Sequence, residues 1–488
     1  MESLVVSVAE MRAAEDAAFA RGVTAEALMD EAAAGIAATI LKFFPQPGRC
    51  IVFAGKGNNA GDAFAAAAVL HSLGWRIELW LAFPENELGE LAAKKFRVIQ
   101  REEFVRLTSG RTIVLDGLLG LGAKPPPRDP VRAACREINR LRREENAFVI
   151  AVDLPTGLDG DTGDTDTDCV IADVTITIGA AKRGLIADRA LNLVGRLHLV
   201  TLSDLALPNE SPDSLIATPH SLRHLLPRRD FGAYKNQFGR IGVVAGSKGF
   251  VGAALMCSLG ALRGGAGLVE LFVPEDIYPI VASAAAPEIM VKPIRSYRDI
   301  IDEPIDVWAV GPGVGRANSD EIRDLITRAA KPMVVDADGL NILSDDTTAL
   351  KSVGGPRLLT PHPGEMKRLF PLENVSRAEH ARRFCDEFGV ALLFKGSRTI
   401  VAERSKAISY NTTGNPGMAT GGMGDVLTGV CAALIGQKLS PYDAARVGAW
   451  VCGRAAELAI FNGSASEQSL LPSDILAHLG RAFRELQT

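Results

Sequence analysis

The feature that most constrains the fold of this chain is an alternation of short apolar runs with helical segments, which occurs in two successive series. The first series starts at Arg49 and the second at Arg240. Near-continuous apolar strands separated by helices predict a parallel sheet covered on both faces. Because 488 residues exceed what one such core usually holds, we expect two α/β domains.

A segment without periodicity separates the two series. Residues 207–219, LPNESPDSLIATP, are rich in proline and polar side chains, so the domain boundary is predicted there. The expected domains are 1–210 and 215–488. The residues before the first series carry helical patterning, the late runs TIVAE and RSKAISYN predict a hairpin, and the last 65 residues are predicted to be mainly helical.

Composition excludes several classes of protein. With 53 Lys and Arg against 58 Asp and Glu, the chain lacks the basic balance of a dedicated nucleic-acid binder. Its seven cysteines form no CxxC pair, which favours buried thiols in a reducing cytoplasm over a disulfide framework or a zinc ribbon. The first residues have neither a basic start nor an apolar core, so no signal or transit peptide is expected. The longest apolar stretch, 251–273, contains Arg263 and Glu270, which favours a buried helix and strand over a membrane span.

A glycine-rich turn, GKGNNAGD (55–62), follows the first strand. Its spacing differs from that of a dinucleotide fingerprint, and it lacks the Gly-Lys-Ser/Thr of a Walker A loop. A turn of this kind at the start of a helix favours an anion, while a purely structural tight turn is the alternative. Asp116 and Asp153 end two further strands, and Asn59, Asp116 and Thr156 together offer hard oxygen ligands to a monovalent or divalent cation.

Five motifs in the first half, AEMRAAEDAAFARG, GKGNNAGD, LDGLLGLG, DLPTGLDGDTG and GAAKRG, resemble the NAD(P)H-hydrate epimerase domain. The resemblance implies that Asp116 is catalytic and that potassium is bound by Asn59, Asp116 and Thr156. The hydrate-binding residues that it implies are Asn58, Asn59, Ala60, Gly61, Asp62, Gly120, Leu121, Gly122, Ala123, Lys124, Pro125, Pro126 and Asp153. The family usually has glycine at Ala60 and Ala63, and an arginine-bearing loop where this chain has AKPPPR (123–128).

The strongest signal of the second half is GNPGMATGGMGD (414–425), followed by an apolar helix. Glycine-rich backbone at a helix start presents N–H groups that stabilise phosphate or developing negative charge. Asp425, in the first turn, would act as a general base toward a hydroxyl that attacks this phosphate. A capping aspartate on a glycine hinge is the alternative.

Three other turns of the second half carry candidate residues. The turn KGSRT (395–399) offers positive charge and backbone donors for the phosphates of a nucleotide. Asp336 and Asp338 follow a strand, where they would either contact magnesium or cap the next helix. His362 lies between two prolines, and both a ligand-facing and a structural role are open.

The motifs GPGVG, DADGL, LTPHPGEMKRL, FKGSRT and GNPGMATGGMGDVLTG resemble the ADP-dependent NAD(P)H-hydrate dehydratase branch of the ribokinase-like superfamily, over about 215–485. The resemblance implies that Asp425 is catalytic. It implies a nucleotide site at Lys395, Gly396, Ser397, Arg398, Thr399 and Gly424, and hydrate contacts at Ala253, Gly313, His362 and Asp425. Met423 stands where the family commonly has serine.

Together the two resemblances imply an α/β chain of two domains, an N-terminal Rossmann-like three-layer sandwich and a C-terminal ribokinase-like α/β domain. The implied function is the repair of hydrated NADH and NADPH (NADHX and NADPHX). One domain interconverts the R and S epimers, and the other dehydrates the S epimer at the expense of ADP, giving NAD(P)H, AMP and phosphate. The implied cofactors are K⁺ in the first domain and Mg²⁺ in the second, with ADP as co-substrate.

The implied partners are these small molecules, with no nucleic acid and no membrane, and the expected state is a cytoplasmic homo-oligomer. One alternative is a ribokinase-like vitamin-precursor kinase fused to a noncatalytic binding domain. Another makes the first domain a binding module of the kind attached to RNA-processing scaffolds. The presence of Asn59, Asp116 and Asp153 and the lack of a basic patch count against the second alternative.

Overall fold

The computed structural model describes residues 3–100, 110–207, 212–226, 228–461, 463 and 465–487. The chain divides into two compact units, Ser3–Pro212 and Asp213–Thr488. This division falls inside the segment where the sequence predicts a boundary, and residues 208–211 of that segment lie outside the described residues.

The first unit alternates strands with helices. Its strands are β1 (Ser3–Val6), β2 (Arg49–Ala54), β3 (Arg76–Leu81), β4 (Thr112–Gly117), β5 (Phe148–Val152), β6 (Val174–Ile178), β7 (Ala181–Lys182) and β8 (Arg196–Val200). Its helices are α1 (Val8–Ala20), α2 (Ala25–Phe43), α3 (Asn58–Ser72), α4 (Glu90–Gln100), α5 (Val131–Glu144) and α6 (Leu191–Val194).

Six of these strands form a parallel sheet in the order β3-β2-β4-β5-β6-β8, while β1 pairs in parallel with β7. The inner strands β2, β4 and β5 are buried almost along their whole length, as their continuous apolar sequence predicts. The strand order changes direction at β2, which lies between β3 and β4. In an open α/β sheet, ligands bind at the carboxyl ends of the strands beside such a switch point.

The second unit is larger. Its strands are β9 (Ser214–Ala217), β10 (Arg240–Val244), β11 (Leu268–Pro274), β12 (Ile289–Ile294), β13 (Val307–Val310), β14 (Met333–Val335), β15 (Arg357–Leu359), β16 (Ala391–Phe394), β17 (Ile400–Ala402) and β18 (Ile408–Asn411). Its helices are α7 (Pro219–Leu222), α8 (Val251–Arg263), α9 (Tyr278–Ala284), α10 (Ser319–Arg328), α11 (Asp338–Leu343), α12 (Pro363–Leu369), α13 (Arg377–Phe388), α14 (Met423–Gly436), α15 (Pro441–Phe461) and α16 (Pro472–Gln487).

The strands of the second unit follow the order β12-β11-β10-β13-β14-β15-β16-β17-β18-β9. The pairs β16-β17 and β17-β18 are antiparallel, which confirms the predicted hairpin, and the other described pairs are parallel. The mainly helical end of the chain is also confirmed by α14, α15 and α16.

Strand β9 corrects one expectation from the sequence. The second domain is expected to start at 215, but Ser214–Ala217 pairs in parallel with β18, and Leu215, Ile216 and Ala217 are buried. This apolar run is too short to show a period among the surrounding prolines and polar residues. The second unit therefore needs the chain from Asp213 onward.

Two helices of the second unit touch through their main chains. A Cβ atom on Gly429 of α14 would lie 2.0 Å from the Cys257 carbonyl oxygen of α8, and one on Gly260 would lie 2.4 Å from the Val426 carbonyl oxygen. Both helices therefore need glycine at the contact.

Two further predictions from the sequence concern the cysteines and a possible membrane span. All seven cysteines are free and buried, as their scattered positions predict. In the part of the chain that the structure describes, no helix is both long enough and apolar enough to span a lipid bilayer.

Candidate active sites

The three predicted cation ligands of the first unit come together at the carboxyl end of β4. The carboxylate of Asp116 accepts hydrogen bonds from the Thr156 N–H (2.8 Å) and the Thr156 hydroxyl (2.7 Å). The Leu119 N–H donates to the Thr156 hydroxyl (3.1 Å), and the Asn59 amide donates to the Leu119 carbonyl (3.0 Å). Asn59, Thr156 and Asp116 are therefore linked through Leu119, and their amide, hydroxyl and carboxylate oxygens are donors of the kind that a hard cation takes.

Asp116 is fully buried, and burial raises its pKa to about 6. Among the described residues, no positively charged side chain lowers this pKa; the opposing contributions come from hydrogen bonds of Thr156 and Leu118. A buried carboxylate without a cationic partner is costly, so a bound monovalent cation would supply the missing charge. This observation fits potassium at Asn59, Asp116 and Thr156.

The two predicted hydrate-binding loops, 58–62 and 120–126, meet at Asn59. A Cβ atom on Gly120 would lie 3.2 Å from the Asn59 Cβ, so the two loops are in contact. The Arg12 guanidinium of α1 donates to the Leu121 carbonyl (3.1 Å) and lies where a side chain on Gly122 would be. The sequence analysis assigned no role to Arg12. Its side chain supports this loop from α1, which is 109 residues away in the sequence.

The two alanines that replace the usual glycines of the family are fully buried. A Cβ atom on Gly117 of β4 would lie only 2.5 Å from the Ala63 Cβ, so the Ala63 methyl group packs between α3 and the sheet. Ala60 is likewise 0% exposed. These methyl groups occupy the interior of the unit rather than its ligand cleft.

Asp153 and Asp62, which the sequence places on the hydrate, lie near a buried lysine. Asp153 follows β5 and forms an ion pair with Lys182 of β7, whose side chain is 0% exposed. Asp62 lies in the first turns of α3, and burial raises its pKa well above the usual range, an effect that the nearby Asp153 charge increases. Lys182 is not one of the site residues predicted from the sequence.

In the second unit, the start of α14 lies against a buried ion pair. The Lys395 ammonium donates to Asp336 Oδ1 (2.6 Å), and the Thr428 hydroxyl donates to Asp336 Oδ2 (2.9 Å). A Cβ atom on Gly424 would lie 3.2 Å from both Asp336 Oδ2 and Lys395 Nζ. The predicted nucleotide residues Lys395 and Gly424 are therefore neighbours, and Asp336 binds the lysine rather than capping a helix.

Asp425 lies in the first turn of α14 and is partly exposed. The helix is capped by Gly422, with a positive φ of 92°, and the Asp425 carboxylate makes no hydrogen bond within the described residues. The capping alternative is therefore wrong. Burial raises the pKa of Asp425 to about 6, the Asp336 charge raises it further, and the Lys395 charge opposes this shift. At neutral pH the group is ionised and free to accept a proton.

His362 is held at the start of α12. Its Nδ1 accepts a hydrogen bond from the Gly364 N–H (2.9 Å), so the neutral ring carries its proton on Nε2, which lies 3.5 Å from Glu365 Oε1. The Glu365 carboxylate accepts from the His362 N–H (2.8 Å) and lies 3.9 Å from Lys395 Nζ. The imidazole is about half exposed. The ring therefore has a fixed orientation and an accessible edge.

The predicted hydrate contacts Ala253 and Gly313 also meet. A Cβ atom on Gly313 would lie 3.0 Å from the Ala253 Cβ and 2.9 Å from the Phe250 Cβ. The Ser247 hydroxyl donates to the Gly313 carbonyl (2.8 Å), which ties the two turns together. Gly313 has a φ of 63°, and Phe250 and Ala253 leave no room for a side chain there, so this position needs glycine.

The nucleotide turn 395–399 is held by an arginine that the sequence analysis missed. The Arg377 guanidinium donates to the carbonyls of Lys395 (3.1 Å), Phe394 (3.2 Å) and Arg398 (3.3 Å) and lies over the Phe394 ring. Arg398 is buried, whereas Gly396 and Ser397 are exposed. Within the described residues, no group of three or more His, Cys, Asp and Glu side chains is arranged to hold a metal ion.

Two family models match this chain, and curated relatives cover most of it. A family model described as NAD(P)H-hydrate dehydratase matches residues 241–479, and a model of the YjeF-related protein N-terminus matches residues 25–184. The bifunctional NAD(P)H-hydrate repair enzyme of Moorella thermoacetica is 35% identical over 90% of this chain and 88% of its own length. The enzyme of the same name from Escherichia coli is 32% identical over 96% of this chain and 92% of its own length.

Solved structures match the second unit. A hypothetical protein of Streptococcus mutans, 24% identical, has a TM-score of 0.50 and is covered completely by 56% of this chain. An ADP/ATP-dependent NAD(P)H-hydrate dehydratase of Bacillus subtilis, co-crystallised with ATP and Mg²⁺, is 27% identical and has a TM-score of 0.48, with 57% of this chain covering all of that one.

The fold is that of a two-domain α/β protein with a largely parallel sheet in each unit, which confirms the predicted α/β class. The relatives cover both units at more than 30% identity. The chain belongs to the family of bifunctional NAD(P)H-hydrate repair enzymes, as its motifs predict.

Proposed function

We propose that this chain repairs hydrated NADH and NADPH, with the first unit interconverting the R and S epimers and the second dehydrating the S epimer with ADP. The single observation that carries the dehydratase assignment is Asp425, whose carboxylate makes no hydrogen bond to the described residues and lies at the glycine-rich start of α14, within the influence of the Lys395 charge. Family membership supports both activities.

Hydroxide is a poor leaving group and phosphate is a good one. The second unit therefore first phosphorylates the C6 hydroxyl. Asp425 takes the proton of the C6 hydroxyl, whose oxygen attacks the terminal phosphorus of ADP, and AMP leaves. The N1 lone pair then expels phosphate from C6, and loss of a proton from C5 forms the C5–C6 double bond of NAD(P)H. One turnover therefore consumes ADP and releases AMP and phosphate.

The start of α14 stabilises the phosphoryl group that is transferred. The N–H groups of a first helical turn and the positive end of the helix dipole stabilise negative charge, and Lys395 adds a fixed cation. Glycine at 424 lets the start of the helix approach the Asp336–Lys395 ion pair closely, since a Cβ there would lie 3.2 Å from both charged groups. The exposed backbone at Gly396 and Ser397 is available to the remaining phosphate.

The hydrate is positioned opposite the nucleotide. Ala253 and Gly313 are partly exposed and offer main chain to the ring, and His362 offers a donor of fixed orientation at Nε2. For Mg²⁺, Glu365 supplies a carboxylate between His362 and Lys395, and Mg²⁺ commonly takes one or two carboxylates together with substrate phosphates. Such an ion, when bound, neutralises phosphate charge.

In the first unit, the proposed hydrate cleft lies above the proposed potassium site. Asp116 is fully buried and both of its oxygens accept hydrogen bonds, which favours its role as a cation ligand over direct contact with the hydrate. The buried methyl groups of Ala60 and Ala63 leave the cleft unobstructed, which supports an active epimerase despite these departures from the family.

The test is a coupled assay with the purified full chain, pure R-hydrate, ADP, K⁺ and Mg²⁺. Recovery of the near-ultraviolet absorbance of NAD(P)H requires both activities, and S-hydrate alone reports the dehydratase. Hydroxymethylpyrimidine and hydroxyethylthiazole with ADP or ATP serve as competing substrates. Phosphorylation of either precursor without recovery of NAD(P)H would overturn the proposal in favour of a vitamin-precursor kinase.

A further inference from the structure

Asp336 connects the two turns that are proposed to handle the nucleotide. It follows β14, and its side chain is only 2% exposed. Its Oδ1 accepts a hydrogen bond from the Lys395 ammonium of the nucleotide turn (2.6 Å), and its Oδ2 accepts one from the Thr428 hydroxyl of α14 (2.9 Å). One buried carboxylate therefore uses each of its oxygens to hold a different element.

Thr428 is the attachment on α14. It is fully buried and lies three residues after Asp425, and residues three apart are neighbours on one side of a helix. A threonine hydroxyl inside a helix commonly donates to a main-chain carbonyl one turn earlier. The Thr428 hydroxyl instead donates to a carboxylate on another element. The helix that carries Asp425 is therefore tied to Asp336 within one turn of the proposed base.

Lys395 is the attachment on the nucleotide turn. Its main-chain N–H donates to the Pro361 carbonyl (2.8 Å), and the nearest Glu365 oxygen lies 3.9 Å from its Nζ, so Asp336 is the carboxylate that binds the ammonium. Burial would raise the pKa of Asp336, but the Lys395 charge and the hydrogen bonds from Lys395 and Thr428 hold this pKa below its ordinary value. Asp336 is therefore ionised at neutral pH. An ammonium has three protons, and one bond to Asp336 leaves the others for phosphate.

We propose that Asp336 is a positioning residue of the dehydratase, which holds Lys395 and the start of α14 in a fixed relation, with Thr428 as its attachment to the helix. This inference rests on the proposed dehydratase function. Phosphoryl transfer depends on the joint placement of the base, the lysine and the phosphate, and a displacement of about 1 Å can lower the rate about 10²-fold. Because Asp336 is buried and both of its oxygens accept hydrogen bonds, it acts through its two partners rather than on the substrate.

Two substitutions at 336 separate the link from the rest of the site. Asp336→Ala removes both acceptors and is expected to lower kcat for dehydration about 10²-fold. It also removes a negative charge beside the lysine, so the Kd for ADP, an anion, is expected to stay unchanged or to fall. In Asp336→Asn the amide oxygen can still accept from Lys395, and the amide N–H can donate to the Thr428 oxygen. This conservative variant is therefore expected to be more active than Asp336→Ala.

The assay is dehydration of pure S-hydrate by the full chain at saturating ADP and Mg²⁺, with the Kd for ADP measured separately by calorimetry. A loss of kcat without weaker binding of ADP indicates an interaction that acts in the transition state. A purely structural role would lower the melting temperature without this separation of kcat from binding.

Thr428 provides a finer test with a smaller change. Thr428→Val keeps the shape of the side chain, loses one hydrogen bond to a charged group, and is expected to lower kcat about tenfold. Thr428→Ser keeps the hydroxyl and is expected to recover most of the rate. The matched control is Thr327→Val on α10, because the Thr327 hydroxyl donates only within its own helix, to the carbonyls of Arg323 (2.8 Å) and Asp324 (3.3 Å). This control leaves kcat unchanged.

The double variant Asp336→Ala/Thr428→Val shows whether the two residues form one link. Without the carboxylate, the Thr428 hydroxyl has lost its acceptor, so its removal is expected to lower kcat no further than Asp336→Ala alone.

Four results would overturn the inference: Asp336→Ala turnover within tenfold of wild type, a tenfold weaker Kd for ADP in that variant, Thr428→Ser no more active than Thr428→Val, or additive losses in the double variant. If Asp336→Ala fails to fold, the comparison of Thr428→Val with Thr428→Ser decides. If the wild type does not dehydrate S-hydrate at all, the proposed dehydratase function itself fails, and the positioning role fails with it.

Discussion

Asp425→Asn is the substitution that bears most directly on the dehydratase mechanism. An amide has nearly the same shape as the carboxylate but cannot accept the proton of the C6 hydroxyl, and loss of a general base typically costs about 10²–10⁴ in rate. Since Asp425 makes no hydrogen bond within the described residues, the substitution breaks no contact there and is expected to leave the melting temperature unchanged.

The pH dependence of the wild-type dehydration rate is a second, independent test of Asp425. With a pKa of about 6, Asp425 is mostly ionised at pH 7 and mostly protonated at pH 5, so the wild-type rate is expected to fall about tenfold between these pH values. The base form is the active one, hence activity is present above the pKa and lost as the pH falls through it. In Asp425→Asn this inflection disappears.

The assay is dehydration of pure S-hydrate with saturating ADP and Mg²⁺, followed by the absorbance of NAD(P)H. Asp320→Asn, which removes a carboxylate that is 84% exposed on α10, is the matched control. An Asp425→Asn enzyme within tenfold of wild type, or one that keeps the inflection near pH 6, would refute the role of Asp425 as the base.

Three further predictions concern other parts of the chain. Asp116→Asn is expected to abolish epimerisation and the increase in melting temperature caused by K⁺ while dehydration of S-hydrate continues; a retained K⁺ effect in thermal denaturation would contradict the cation site. Arg377→Ala removes charged hydrogen bonds to the nucleotide turn and is expected to raise the KM for ADP about tenfold or more, whereas Arg383→Ala on the exposed side of α13 leaves it unchanged. Gly429→Ala is expected to destabilise the second unit by about 1–3 kcal/mol in denaturant unfolding, because its Cβ would overlap the Cys257 carbonyl. The exposed helical control Gly480→Ala, with no atom within 4 Å of its Cβ, is expected to stabilise by about 1 kcal/mol, and equal effects of the two would contradict the close packing.

The long apolar strands and the glycine-rich turns could be predicted from the sequence because each signal is local. Strands β2 and β4 are continuous apolar runs, and the turn before α14 has its glycines side by side. Strands β7 and β9 could not be predicted from the sequence. They have two and four residues, and runs this short show no period.

The partners of the site residues could not be predicted from the sequence. Lys182 ends a two-residue strand and is fully buried, although lysine is ordinarily exposed. Asp336 and Lys395 are 59 residues apart and meet across the intervening strand β15. Arg377 begins a helix whose sequence gives no sign that its first side chain supports the nucleotide turn. Each of these contacts depends on tertiary folding.

The glycine contact between α8 and α14 determines how the second unit can adapt to other substrates. Each helix begins at one of the two proposed binding turns, the hydrate turn for α8 and the phosphate turn for α14. Because Gly260 and Gly429 bring main chain against main chain, no rotamer change at this contact can widen or narrow the gap between the turns. The distance between the two proposed binding turns is therefore fixed by the contact between the helix main chains. Variants with altered substrate size should arise in the turns themselves, while the helix contact acts as a spacer of fixed length.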